Sequence, residues 1–237
     1  ANCMGVTGAM PRGGGGVWAG AAHNPTREGG APGGRRGLKP LTSPPVGGKL
    51  HPEGLLAHTG GRGDEHHAQP LAVSITQSTE LGTVYSPDEI AELASIAHDH
   101  GMVVHLDGAR IWNAAASLGL PFRAFTTDVG VDLVSLGATK NGAMAAEAVI
   151  VINPDVVEGM LYLRKFTMQL ASKMRFISAQ IQTLFDEDLG LRSATHANQM
   201  ATLLRRRLEE KIAAGEINGL DFSQPTQANG VFALMSN

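Results

Sequence analysis

Short apolar runs alternate with amphipathic stretches from residue 70 onward. Residues 71–76 and 102–106 are apolar runs of strand length. Between them, Ser-Pro-Asp-Glu at 86–89 supplies an N-cap, a proline in the first turn and a capping-box glutamate. Apolar residues then recur on one helical face until Gly101. The pattern predicts two buried strands joined by a helix.

The same alternation continues towards the C-terminus. It predicts a helix over 111–118, strands over 133–136, 148–152 and 231–235, and long helices over about 158–186 and 192–213. Strands that alternate with helices indicate an α/β fold with right-handed crossovers. Ligands in such folds bind beyond the carboxyl ends of the strands.

The first 63 residues differ from the rest because they hold 18 of the 30 glycines. Glycine weakens both helix and strand, so we expect an irregular opening, either a flexible linker or a damaged coding region. We therefore divide the chain into three parts. They are a glycine-rich, degraded part of the large domain (1–63), the core of that domain (64–186), and a connecting helix that begins an incomplete small domain (187–237).

Composition narrows the function classes. A net charge of −3 argues against a nucleic-acid binder, which would usually carry a basic face. Cys3 is the only cysteine, which excludes a disulfide framework and a thiolate metal site, and no metal site is expected. No apolar run reaches the length of a membrane span, and no signal peptide is evident, which favours the cytoplasm.

An aspartate and a lysine follow neighbouring predicted strands. Asp107 lies directly after the predicted strand at 102–106, at its carboxyl end. Lys140 lies shortly after the predicted strand at 133–136. Pyridoxal phosphate requires this pair, a lysine amine for a Schiff base and a carboxylate for the pyridinium nitrogen. Arg110 follows Asp107 by about one helical turn and could point the same way. Its guanidinium could then bind a carboxylate or hydroxyl of the substrate. The sequence therefore suggests a pyridoxal-phosphate site at the carboxyl ends of the strands.

Each candidate residue also has an interpretation that involves no catalytic or binding role. Asp107 is a common kind of helix N-cap, and Lys140 is in a segment typical of a solvated turn. Arg110 could belong to a surface ion pair. His23 lies among glycines, where an exposed histidine is usual, and His66 belongs to a lone His-His pair, which is a weak metal signal.

Five ordered motifs resemble the low-specificity L-threonine aldolases of the β-eliminating lyase group, pyridoxal-phosphate enzymes of fold type I. The resemblance spans 69–229, and its motifs lie at 74–80, 105–110, 137–142, 172–176 and 227–229. It implies the aspartate-aminotransferase-like fold: a large cofactor domain with a mainly parallel sheet, followed by the start of a truncated small C-terminal domain. Family chains are longer at both ends, so we expect part of the phosphate turn and the small domain to be missing.

The resemblance also implies roles for single residues. Lys140 would form the Schiff base, Asp107 would keep the ring nitrogen protonated, and Thr139 would contact the cofactor. Arg110 would bind the cofactor or the substrate carboxylate.

Three further residues receive roles from the same resemblance. His23 matches a histidine that stacks on the cofactor ring and is, with an ordered water, a candidate base for the β-hydroxyl proton. His66 matches a histidine near the substrate side chain, and Glu28 is placed in the substrate site.

The implied reaction is cleavage of L-threonine or L-allo-threonine to glycine and an aldehyde. Phenylserine aldolase and β-eliminating lyase activities stay open, as does a catalytically silent fragment. The resemblance further implies a small amino acid as the substrate and a homo-oligomer, a dimer of dimers with active sites at the subunit interface. It implies no nucleic acid and no membrane partner.

Overall fold

The architecture is known from a computed structural model, which describes residues 39–157 and 159–236 with their side chains and residues 14–19 as a strand. A six-stranded sheet forms its centre. The strands are β1 (Gly14–Ala19), β2 (Lys39–Ser43), β3 (Gln69–Thr76), β4 (Val103–Gly108), β5 (Leu133–Gly137) and β6 (Glu147–Val151). Their spatial order is β2-β1-β3-β4-β5-β6. Five strands are parallel, and β6 pairs with β5 in the antiparallel direction.

Six α-helices accompany these strands in the described residues. They are α1 (Pro52–Leu56), α2 (Pro87–Asp99), α3 (Ile111–Leu118), α4 (Met160–Phe166), α5 (Met174–Phe185) and α6 (Leu189–Ala213). A separate two-stranded antiparallel sheet joins β7 (Leu220–Phe222) to β8 (Ala233–Met235). The predicted α/β fold with a mainly parallel sheet is confirmed. No helix of the described ranges is both long and apolar enough to cross a membrane.

The start of α2 has the predicted capping box. The Glu89 backbone N–H donates to Ser86 Oγ at 3.2 Å, and the Ser86 backbone N–H donates to Glu89 Oε2 at 2.7 Å. The Lys49 ammonium donates to the same carboxylate at 2.7 Å. Partial burial raises the pKa of Glu89, but the hydrogen bonds from Lys49 and Ser86 outweigh it and hold the pKa below its usual value.

This lowered pKa gives a testable dependence of stability on pH. A carboxyl group whose pKa is lower in the folded protein stabilises the fold above its unfolded pKa, and the contribution is lost as pH falls through the folded value. Glu89→Gln should therefore unfold more easily than the wild type at neutral pH, and the difference should shrink in acid. Urea denaturation from pH 7 to pH 3 measures it. A gap that stays constant over this range would contradict the assignment.

Two strands lie in the part of the chain that was predicted to be irregular. Strand β1 contains three glycines of the 13–16 run, and it pairs with both β2 and β3. A strand with partners on both sides satisfies its backbone along two ladders, which outweighs the poor strand propensity of glycine. The expectation of irregular structure is therefore wrong for β1 and β2.

The long helix predicted over 158–186 is also wrong, because it is two helices. Helix α4 begins after Gly159, which has φ of 73°, and Met168 beyond its end has φ of 62°. Met160 packs beside Leu133 on one face of the sheet, whereas Leu184 of α5 belongs to the main core. Tertiary packing, more than local propensity, fixes where helices end, and these two contacts lie in different parts of the core.

The two faces of the sheet differ in polarity. The face that packs on the main core is apolar along the three central strands, with Val73, Ile75, Val104, Leu106, Val134 and Leu136. The opposite face is apolar only near the amino ends of β4 and β5, around Leu133. Towards the carboxyl ends of the strands it becomes polar, and this part of the sheet carries the candidate site.

Candidate active site at the carboxyl edge of the sheet

The polar part of the sheet is a set of side chains from three strands. His105 and Asp107 alternate with core residues on β4, so both project from the same face. Ser74 of β3 is in register with His105, and Ser135 of β5 is in register with Asp107. All four are buried, although a buried polar group is costly unless it has a partner. Such a cluster at strand ends is the expected position for a ligand site.

Asp107 is held in place by backbone groups. Its Oδ1 accepts a hydrogen bond from the Ala109 N–H at 3.0 Å, and its backbone oxygen accepts from the Gln77 N–H at 2.9 Å. Asp107 is 2% exposed. The N-cap of α3 is Arg110, so the alternative role of Asp107 as an N-cap is wrong. The structure thus places a fixed, buried carboxylate at the carboxyl end of β4.

Lys140 lies in a short 3-10 turn, Thr139–Asn141, directly after β5. Its side chain is exposed, and within the described residues no hydrogen bond or ion pair engages its amine. The turn itself is fixed at both ends. Thr139 Oγ1 donates to the Ala146 backbone oxygen at 3.2 Å, and Asn141 Nδ2 donates to the Gly190 backbone oxygen at 3.0 Å. An accessible amine on a fixed turn suits reaction with a carbonyl compound.

Glu147 also supports this turn, and sequence reasoning missed it. The Thr139 N–H donates to Glu147 Oε1 at 3.3 Å. Glu147 begins β6 and is in register with Gly137, the last residue of β5. Nothing in its neighbourhood of alanines signals this role, because the contact depends on the antiparallel pairing of β6.

Arg110 and Thr139 lie at the same edge as the central pair. Arg110 is half-buried at the start of α3, three residues after Asp107, and Thr139 is the residue before Lys140. The structure therefore brings four of the predicted residues, Asp107, Arg110, Thr139 and Lys140, to one edge of the sheet. Their contacts with a cofactor or substrate stay predictions.

His66 does not lie near the other predicted site residues of its own chain. It lies in the loop before Gln69, where β3 begins, and its side chain is 84% exposed. Gln69 and Thr76 stand at opposite ends of β3, about 23 Å apart at about 3.3 Å per residue. His66 therefore lies near the opposite edge of the sheet, away from Asp107 and Lys140 of the same chain. His23 and Glu28 lie outside the described residues, and their roles also stay predictions.

The ends of β4 and β5 approach each other closely at Gly137. A Cβ atom there would lie 2.7 Å from both Cα and O of Ala109, whose N–H holds Asp107. Backbone atoms cannot rotate away as a side chain can. Trp112 adds a further link, since its Nε1 donates to the Gly137 oxygen at 3.0 Å. The close contact thus fixes the Asp107 loop against the strand that leads to Lys140.

Replacing Gly137 with alanine should disrupt this contact. We expect a loss of about 1–3 kcal/mol in the free energy of unfolding, the usual cost of overpacking. Urea denaturation measures the loss. Gly60→Ala is the matched control, because a Cβ atom there would meet nothing within 4 Å. Equal stability of the two variants would contradict the contact.

The chain matches a known protein family over almost its whole length. The family model described as Beta-eliminating lyase matches residues 1–235. The chain belongs to this family. It is 40% identical to the low specificity L-threonine aldolase of a Pseudomonas species over 216 residues, which is 91% of this chain and 61% of that protein. The protein of the same name in Pseudomonas aeruginosa is 39% identical over 91% of this chain and 61% of its own length.

Two solved structures share the fold of this chain. The threonine aldolase of Leishmania major superposes with a TM-score of 0.87 at 28% identity, over 98% of this chain and 66% of that chain. A PLP-bound C-S lyase of Staphylococcus hominis superposes with a TM-score of 0.67 at 13% identity, over 95% of this chain and 56% of that one, and shows the fold alone. The chain spans about three fifths of the length of the Pseudomonas relatives.

Proposed function

We propose that the protein uses pyridoxal phosphate to cleave L-threonine and L-allo-threonine to glycine and an aldehyde. The observation that carries the proposal is the pairing of buried Asp107 with exposed Lys140 at the carboxyl ends of adjacent strands. The similarity to proteins named low specificity L-threonine aldolase supports the choice of reaction within the family.

The described residues fit this cofactor. Asp107 offers a buried carboxylate for a cationic ring nitrogen, and Lys140 offers an accessible amine for a covalent bond. When bound, pyridoxal phosphate supplies an electron-accepting ring that stabilises negative charge at the carbon next to the amino group. Because burial strengthens electrostatic interactions, the Asp107 carboxylate would hold a proton on the ring nitrogen firmly.

The remaining residues would orient the substrate. The Arg110 guanidinium at the same edge suits a substrate carboxylate, which it can bind through two parallel hydrogen bonds. Removal of the β-hydroxyl proton requires a base at the substrate, and His23 or an ordered water is proposed for it. His66 lies far from Lys140 of its own chain. We therefore propose that it lies near the substrate side chain in the active site of another copy of the chain.

Two measurements test the proposal. Borohydride reduction of protein incubated with pyridoxal phosphate, followed by peptide mass mapping, should place the cofactor on the peptide that contains Lys140. In a separate sample that has not been reduced, incubation with L-threonine should give glycine and acetaldehyde. Keto acid and ammonia as products would favour β-elimination, and phenylserine as the preferred substrate would favour the phenylserine aldolases. Folded protein without labelled Lys140 would indicate a catalytically silent fragment.

We also propose that the protein forms a homo-oligomer with active sites at subunit interfaces, and that it works in the cytoplasm. Several large apolar side chains around α4 and α5 support self-association because they are largely exposed: Leu161, Tyr162, Met168 and Phe176. Exposed apolar patches of this kind often mark interfaces between proteins. Sedimentation equilibrium would test this proposal, and a monomer at micromolar concentration would count against it.

A further inference from the structure

A buried histidine spans three strands directly beneath the proposed site. His105 is 2% exposed, and each of its ring nitrogens meets a serine hydroxyl on a neighbouring strand. Its Nδ1 lies 2.8 Å from Ser74 Oγ, and its Nε2 lies 2.9 Å from Ser135 Oγ. The function proposed above assigns nothing to this arrangement.

The chemistry of the three groups is self-consistent. A neutral imidazole has one N–H donor and one acceptor nitrogen, whereas a hydroxyl can donate and accept. Either tautomer of His105 can therefore bond both serines without carrying a charge, which burial would disfavour. As a result, the Ser135 hydroxyl is engaged with the imidazole.

Ser135 connects the His105 hydrogen bonds to Asp107, because it lies beside Asp107 in the sheet. The two residues are in register on adjacent parallel strands and project from the same face, at the interstrand spacing of about 4.8 Å. Ser135 is fully buried, so bulk solvent does not reach its hydroxyl. The carboxylate beside it is a strong acceptor, because hydrogen bonds to ionised groups are about twice as strong as neutral ones.

We propose that His105 is a positioning residue that engages the Ser135 hydroxyl and so keeps it from competing for the Asp107 carboxylate. The proposal rests on the proposed function, in which that carboxylate binds the cofactor ring nitrogen. His105 acts through Ser135 and Asp107 and need not touch the cofactor. A role of this kind differs from simple packing, because removing Ser135 should relieve the effect of removing His105.

The first test needs no cofactor. In apoprotein labelled with ¹³C on aspartate carboxyls, His105→Leu should move the Asp107 signal at a fixed pH, because a new hydroxyl donor reaches the carboxylate. His105→Leu/Ser135→Ala should return the signal towards its wild-type position. His105→Leu/Ser74→Ala is the matched control and should not, since Ser74 is in register with His105 instead of Asp107. If Ser135→Ala leaves the Asp107 signal of the His105→Leu variant unchanged, the proposal is overturned.

The second test measures binding of pyridoxal phosphate by fluorescence quenching. His105→Leu should bind the cofactor about tenfold more weakly, and the Ser135→Ala double variant should recover most of the loss. With the 1-deaza analogue, whose ring nitrogen is replaced by carbon, His105→Leu and wild type should bind alike. An equal loss with both cofactors would indicate mere packing and overturn the proposal.

The two tests separate the two proposals. Wild-type protein that does not bind the cofactor would count against the proposed function, while the carboxyl signal in the apoprotein would still decide the role of His105. If the leucine variant does not fold, His105→Asn takes its place, because the shorter side chain cannot bridge both serines. The same comparison with Ser135→Ala and Ser74→Ala then decides the outcome.

Discussion

Replacing Lys140 with alanine should abolish both covalent attachment of pyridoxal phosphate and cleavage of L-threonine. The amine of Lys140 is exposed on a turn that Thr139 and Asn141 fix to neighbouring segments, so no movement of the backbone is needed for it to react. Alanine leaves these contacts in place, and the fold should be unchanged. Borohydride labelling and release of acetaldehyde measure the two losses.

A control is available on the same chain. Lys211→Ala removes an exposed lysine in the last turn of α6 that pairs with Glu216, and it should leave labelling and cleavage at the wild-type level. Persistent labelling of Lys140→Ala at a single other lysine would show that the attachment site is assigned to the wrong residue.

Replacing Asp107 with asparagine should lower the rate of cleavage by about 100- to 1000-fold while the cofactor stays attached to Lys140. That magnitude is typical for loss of one preorganised electrostatic contact at a reacting group. The asparagine oxygen can still accept from the Ala109 N–H, so local structure should survive. Its amide is neutral, however, and cannot hold a proton on the ring nitrogen as a carboxylate does. Steady-state rates on unreduced enzyme saturated with pyridoxal phosphate measure the effect.

Asp132 provides the matched control for this variant. It is a second buried carboxylate of the same sheet, at the amino end of β5, and accepts hydrogen bonds from the Val104 N–H, His98 Nε2 and Asn153 Nδ2. Asp132→Asn should reduce the free energy of unfolding but leave the rate per cofactor-bound enzyme near that of the wild type. If both variants lose the same rate, the effect of Asp107→Asn is one of general stability.

Buried strands and capped helices were predictable because their signals are local. The capping box at 86–89 and the helix Ile111–Leu118 occur where the sequence places them, and the strands agree within a few residues. The break between α4 and α5 contains neither glycine nor proline, so no local signal marks it, and the two helices pack on different parts of the core. The strand at Gly14–Ala19 was missed for the same reason, since its partners come from elsewhere in the chain.

The sequence by itself determined the family motifs and the identities of Asp107, Arg110, Thr139 and Lys140, because residues that follow parallel strands meet at one edge. Only the tertiary structure decided that Glu147 supports the lysine turn, that His66 lies near the opposite edge, and that Gly137 allows the close approach to Ala109. It also placed Ser135 beside Asp107 with His105 as its partner. Strand register sets these contacts, and register depends on pairings between segments far apart in the chain.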